Sequence, residues 1–127
     1  MIKPDGVRNG LVGTILSRFE NKGLKISKLI MKKLTEKEAR EFYKVHKDKS
    51  FFIDLIQFIT SGPVVVTILE GRSAVEVVRR MIGNTISHEA ASGTIRGDFG
   101  LDITENIIHA SDSKNSFQVE SEVIFSV

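Results

Sequence analysis

The stretch "NIIHASDS", Asn106 to Ser113, carries a histidine where a strand should simply end, because Ile107 and Ile108 are strand-type apolar residues that deliver His109 into a run of small polar ones. A neutral imidazole is a competent nucleophile near about pH 7, and a carboxylate can fix its orientation and tautomer. Glu120 follows at about three helical turns and can play that part. Alone, a histidine at a strand end most often packs or hydrogen-bonds as a structural residue, so its chemistry depends on what converges on it. Lys3, Arg79 and Arg96 are cations that could grip a phosphate chain, although each taken singly also reads as solvated surface charge.

Several other chemistries are poorly served. The chain has no cysteine, which removes thiolate metal sites and cysteine nucleophiles. His46 and His88 share no metal-ligand spacing with His109, and there is no HExxH, so no metal-ligand residues are assigned. "GTIRGDFG", starting at Gly93, has its glycines at the wrong spacing for a Walker or dinucleotide loop, and no strand runs directly into it. A phosphate site here has to be built from side chains. Eighteen Lys and Arg against sixteen Asp and Glu give a net charge of +2, a bias that favours an anionic ligand without forming a nucleic-acid groove. One tyrosine and no tryptophan leave little for a base-stacking platform, so no specific nucleic-acid partner is expected.

The elements that must position these residues follow from periodicity. Leu11, Val12, Ile15, Leu16 and Phe19 recur at helical spacing, with Gly23 as a stop. Leu24 to Leu34 has no helical stripe and reads as a strand. "TEKE", Thr35 to Glu38, fits a capping box opening a helix with Ala39, Phe42, Tyr43 and His46 on one side. A second helix presents Phe52, Leu55, Ile56 and Ile59 before Ser61-Gly62-Pro63. "VVVTIL", Val64 to Leu69, reads as a strand buried on both faces. "SAVE", Ser73 to Glu76, predicts another capping box and a helix that ends at Gly83. Asn84 to Glu105 holds no period, and so long a loop in a small domain is usually functional. The "NIIH" strand and a last helix with Phe117, Glu120 and Ile124 on one side complete the chain.

This order predicts an α+β class, a ferredoxin-like split βαβ with a four-stranded antiparallel sheet and helices packed on it; a doubly wound parallel sheet is the rival. At 127 residues with 41% hydrophobic residues, the chain suits one domain, 1–127. No apolar run approaches the roughly 20 residues of a membrane span, and Lys3-Pro4-Asp5 interrupts any signal peptide, so a cytoplasmic, membrane-free protein is expected.

"MIKPDGV", "TSGPVVV", "GTIRGDF" and "NIIHASDS", in this order and spacing, resemble the nucleoside diphosphate kinase family from Met1 to about Phe125. The resemblance implies a ping-pong phosphotransferase in which a nucleoside triphosphate passes its γ-phosphate to His109 and a nucleoside diphosphate later collects it. By the same resemblance Lys3, Tyr43, Arg79, Thr85, Arg96 and Asn106 bind phosphates and ribose, while Phe51 and Ile103 hold the base. Lys3 also counts among the catalytic groups, Glu120 and Ser111 steady His109, and Mg²⁺ arrives on the nucleotide phosphates. A homo-oligomer, hexamer or alternatively tetramer, is implied, and the first strand, central in the sheet, is short. Four residues depart from the family pattern: Ser50 and Ser87 where proline is usual, Glu105 where arginine is common, and Ala110 where glycine is common. None removes a catalytic group. The competing expectations are a nucleotide-binding homologue that has lost catalysis and a DNA-binding module, which would need a basic face and show steep salt dependence of binding.

Overall fold

The computed structural model describes residues 1–125. Proline at the first helical position starts α1, Pro4–Arg8, a helix the sequence reading passes over, since Pro there pre-sets φ and gives up a donor no helix would use. In α2, Val12–Lys22, the apolar stripe buries Ile15 and Phe19, and Gly23 closes it at φ 104°, left-handed as a helix stop requires. Strand β1, Lys25–Lys32, pairs antiparallel with β2, Val64–Glu70, from Lys25 opposite Glu70 to Lys32 opposite Val64, with a register shift between Ile26 and Lys28.

Between the strands, the "TEKE" box forms as expected at the head of α3, Glu36–Phe42: Thr35 Oγ1 accepts from Glu38 N–H and Glu38 Oε1 accepts from Thr35 N–H. The helix is shorter than its apolar pattern suggests. It ends at Phe42, Tyr43 caps it, and a single 3₁₀ turn, Lys44–His46, carries His46 round to stack on Tyr43 at 6.4 Å. Helix α4, Phe52–Ile59, buries Phe52, Leu55, Ile56 and Ile59 as its periodicity predicts.

The second predicted capping box does not form. Ser73 precedes α5, Ala74–Ile82, at φ 50°, ψ 38°, whereas a side-chain cap needs an extended N-cap residue to aim its oxygen at the first free N–H groups. The long segment after α5 also has more structure than its lack of period implies: a 3₁₀ turn, Ser87–Glu89, and a short helix α6, Ile95–Phe99, capped by Thr94 Oγ1 on Gly97 N–H at 3.0 Å. Helix α7, Lys114–Phe125, closes the described chain, with Ile124 buried, Glu120 partly buried and Phe117 at the surface end of the same side.

Of the four expected strands, two are formed as strands among the described residues. The other two segments are reduced to bridges, Ile2 opposite Val65 and Ile2 opposite Ile108, both antiparallel. Pro4 and α1 cut off the first, and a backbone reversal at Ile107 cuts off the last. Helices cover both faces of this layer. Val64 and Val66 point into a cluster with Phe42, Leu55, Ile59 and Ile124, while Val65 points into another with Ile15, Phe19, Ile82 and Ile95, so β2 is buried on both faces at its start. Met1–Lys3 runs between β2 and Ile107–His109, which forms the layer's far edge and is joined to it by Lys3 N–H to Ile107 O and His109 N–H to Met1 O, each 2.8 Å.

Candidate active site

That edge opens into a cavity of about 620 Å³. Lys3, Tyr43, Phe51, Arg79, Thr85, Arg96, Ile103, Asn106, His109 and Glu120, ten of the eleven residues singled out from sequence, line it. Only Ser111 lies elsewhere, on a smaller cavity behind the histidine whose wall includes the same His109 and Glu120.

His109 is fixed from three directions. Its Nε2 is 2.7 Å from Glu120 Oε1, and the same oxygen accepts from Ser111 Oγ at 2.7 Å. Phe42 and Tyr43 meet the ring edge to face, with centroids at 5.0 and 5.5 Å. Burial lowers the His109 pKa below its ordinary value even though the Glu120 bond opposes the shift, so the ring is neutral at physiological pH. For Glu120, burial pushes upward, but the His109 bond and charge and then the Ser111 bond outweigh it and hold the carboxyl below its usual range. A carboxylate facing a neutral imidazole takes the proton-bearing nitrogen as its partner. Nε2 therefore carries the hydrogen, and Nδ1 keeps the free lone pair.

The cations arrive from separate elements. Lys3 Nζ donates to Asn106 Oδ1 at 2.8 Å and to Thr104 O at 3.3 Å, and Asn106 Nδ2 in turn donates to Thr85 O at 3.0 Å. Arg96, presented by α6, donates to Ile108 O at 2.7 Å and Gly83 O at 3.1 Å; Arg79, from the last turn of α5, donates to Ala110 O at 3.2 Å. The α6 segment is itself tied to α2, through Arg18 to Asp98 at 2.7 Å and to Gly93 O at 3.1 Å. Burial and the nearby Arg96 charge bring the Lys3 pKa down to about 8, and burial with the Arg79 charge brings Arg96 down to about 10. The direct hydrogen-bond acceptors of all three cations are neutral amide and carbonyl oxygens, so the cluster carries positive charge that an anion in the cavity would compensate. Tyr43 adds a donor: its hydroxyl is buried with no partner among the described residues, and burial followed by the Glu120 charge raises its pKa, keeping it protonated.

Apolar side chains also line the cavity. Phe51 and Ile103 are 46% and 58% exposed, apolar, and flank the cavity mouth. Three of the four departures from the family pattern lie away from the centre: Glu105 pairs with Arg8 at 3.3 Å on the surface, Ser50 is exposed, and Ser87 is buried beside α6, whereas Ala110 lines the cavity next to His109.

Residues that sequence reading missed also stand here. Phe42 reads from sequence only as part of a helix's apolar side, yet its ring packs against the imidazole. His46, which the sequence places on a helix face and excludes as a metal ligand, lines the cavity between Tyr43 and Phe51, with a buried Nδ1 that has no partner among the described residues. A Tyr-x-x-His spacing at the end of a helix was its one available signal.

A family model described as nucleoside diphosphate kinase matches residues 1–127. A protein of Hyperthermus butylicus with that name is 63% identical over 126 residues, covering 99% of this chain and 89% of the relative; one from Staphylothermus marinus is 58% identical over 125 residues, covering 98% and 89%. Among solved structures, a halophilic nucleoside diphosphate kinase from Halobacterium salinarum in complex with CDP superposes with a TM-score of 0.95 at 44% identity, covering 99% of this chain and 84% of that one. The Aquifex aeolicus nucleoside diphosphate kinase superposes equally well, TM-score 0.95 at 45% identity, with 98% and 91% covered.

Proposed function

Since the chain belongs to the nucleoside diphosphate kinase family, and is thereby a nucleotide-binding phosphotransferase, we propose that it works through a phosphohistidine at His109 in two half-reactions. In the first, the Nδ1 lone pair attacks the γ-phosphorus of a nucleoside triphosphate. The bond from that phosphorus to the β,γ-bridging oxygen breaks, and the diphosphate leaves with its electrons. In the second, the terminal oxygen of another nucleoside diphosphate attacks the phosphohistidine, and Nδ1 recovers its lone pair. The observation that carries this reading is the neutral imidazole tied at Nε2 to Glu120, on the wall of a cavity that Lys3, Arg79 and Arg96 also line.

Phosphoryl transfer asks mainly for positioning and for stabilisation of charge on the equatorial oxygens. Lys3, Arg79, Arg96, Thr85 and Asn106 supply donors for the phosphates and ribose, Tyr43 adds its free hydroxyl, and Phe51 and Ile103 sandwich the base. Lys3 and Arg96 act most strongly in the transition state because they are the buried cations. Glu120 and Ser111 hold the ring through both half-reactions. Mg²⁺ enters as part of the nucleotide substrate, carried on its phosphates.

The same reading includes a four-stranded ferredoxin-like sheet, in which the bridges at Ile2 and Ile108 are the shortened first and fourth strands, and a cytoplasmic homo-oligomer, hexamer or tetramer. No described helix is long and apolar enough to cross a membrane. The test is incubation with γ-labelled ATP: the reading requires an acid-labile, alkali-stable phosphoprotein that discharges its label to added nucleoside diphosphate. Nucleotide binding without such label would leave a non-catalytic homologue.

A further inference from the structure

Asn106 and His109 face one cavity, and the two isoleucines between them are buried in one apolar cluster. A regular strand alternates its faces and cannot bury two consecutive residues on the same side. The chain achieves both by reversing at Ile107. There φ is 75°, and Ile108 N–H donates to Asn106 O at 2.8 Å, an i to i+2 bond that closes a γ-turn of the rare positive-φ kind. A β-branched residue is a genuine outlier in that conformation, so the surroundings have to hold it.

Two bonds do so, on opposite ends of the same residue. Its carbonyl accepts from Lys3 N–H at 2.8 Å, and its N–H donates to Asp5 Oδ2 at 3.0 Å. Asp5 sits in the first turn of α1 and is 4% exposed, yet it does not line the cavity, and its second oxygen has no partner among the described residues. Gly6 beside it is packed so closely that a Cβ would lie 2.7 Å from Ile2 Cγ2 and 3.1 Å from Ile107 O. A buried, half-satisfied carboxylate aimed at one strained peptide is costly unless that peptide needs it.

We propose that Asp5 is a positioning residue, whose carboxylate clamps the γ-turn at Ile107 and thereby sets the direction in which His109 and Asn106 meet the phosphate chain. The inference rests on His109 as the phosphate acceptor. It is tested by single-turnover phosphorylation with γ-labelled ATP and by calorimetric ADP affinity, in the parent, Asp5→Ala, Asp5→Asn and Asp5→Ala combined with Ile107→Gly. Asp5→Ala slows phosphorylation at saturating ATP by roughly a hundredfold, the scale of a small misplacement of the nucleophile, while ADP affinity changes by less than about fivefold. Asp5→Asn, which keeps an acceptor, stays within about tenfold of the parent. Glycine takes positive φ without strain, so Ile107→Gly returns at least about tenfold of the loss although it removes a buried side chain and lowers the thermal midpoint. A rate that recovers while stability falls is what a merely structural Asp5 would not give.

Phosphorylation of Asp5→Ala at the parent rate, or a double variant no faster than Asp5→Ala, overturns the inference. If Asp5→Ala does not fold while the double variant folds and is phosphorylated, the clamp is supported; if neither folds, Asp5 belongs to folding and the inference fails. A parent protein that forms no phosphohistidine defeats the parent reading and this one with it, an outcome distinct from a labelled parent with an indifferent Asp5.

Discussion

The floor and the mouth of the cavity are built in opposite ways. On the floor, Lys3, Asn106, Arg96 and His109 are held by hydrogen bonds of 2.7 to 3.3 Å to one another, to Glu120 and to backbone carbonyls, and Lys3, Asn106 and Arg96 are almost wholly buried. At the mouth, Phe51 and Ile103 are about half exposed and apolar, and no side-chain hydrogen bond fixes either. Rigid, desolvated donors suit the charge that develops in a transition state, and a loose apolar slot suits a group that only has to be gripped. On the proposed reading, the difference teaches where this chain discriminates: strongly on the phosphates, weakly on the base.

The severest way to break the floor is to remove its proposed nucleophile. His109→Ala should abolish phosphoenzyme formation while ADP affinity stays within about tenfold, because the ring supplies covalent chemistry and little ground-state binding. Labelling with γ-labelled ATP and calorimetry on the same sample check both halves, and turnover near the parent rate would sink the assignment.

A milder intervention acts on the nucleophile's support. Glu120→Gln should lower the plateau rate of phosphorylation by roughly 10- to 100-fold, because the amide no longer demands the Nε2–H tautomer. The sign of its pH effect is separate. In the parent, burial depresses the His109 pKa and Glu120 partly restores it, so the acid limb should fall below the ordinary histidine value of 6.5 and move lower still in Glu120→Gln. The alkaline limb of kcat/KM should lie near 8, where Lys3 loses its proton in the free enzyme. A pH-rate series on both proteins decides, and an acid limb above 6.5 in the parent would contradict the desolvated ring. By linkage, the unfolded chain takes up a proton at His109 before the folded one does, so stability should decline as pH drops below 6.5 until the folded ring also titrates.

The mouth predicts tolerance. Because Phe51 and Ile103 themselves offer no hydrogen-bonding group to read a base edge, purine and pyrimidine diphosphates should differ in kcat/KM by far less than the roughly 10⁴ that a hydrogen-bonding pocket can impose. Competition assays with the common nucleoside diphosphates measure this, and a preference of that size would mean the slot closes into something more polar than Phe51 and Ile103.

The same contrast explains what could be read in advance. Helices α2, α4 and α5, strands β1 and β2, and the Thr35 box announce themselves through short-range periodicity and capping, and the cavity residues were reachable because the family resemblance fixes their positions. What failed was set by tertiary forces. Ser73 sits in a left-handed conformation that its sequence does not specify, and Ile107 carries a positive φ that no isoleucine favours, held by Asp5 and Lys3 from across the fold. Pro4 did carry a signal for α1, but a five-residue helix is too short to build a stripe. The Tyr43 contact of His46 follows from a Tyr-x-x-His spacing, but its contact with Phe51 depends on the path of the intervening turn, which that spacing does not encode.

The smallest expected effect concerns the segment that carries Thr85 and Arg96 to the floor. Ser87 opens its 3₁₀ turn, is 2% exposed, and leaves its hydroxyl without a partner among the described residues. Ile86 before it is extended, at φ −83° and ψ 104°, which is the conformation a following proline imposes. Proline at the first position of such a turn also gives up only a donor that helical geometry leaves unused, and it removes a buried hydroxyl that costs free energy while unpaired. Ser87→Pro should therefore add about 0.4 to 1 kcal/mol, chiefly by restricting the unfolded chain, and raise the thermal midpoint by a few degrees. The close approach of Gly100 to Ser87 sets the limit, since the ring has to fit where a Cβ on that glycine would already collide with the serine side chain. Turnover should hardly change, because Arg96 is anchored independently through Gly83 O and Ile108 O. Differential scanning calorimetry beside a steady-state assay tests this: a lower midpoint would place the misfit at Gly100, and a higher midpoint with slowed turnover would mean that the floor depends on motion in the segment that bears it.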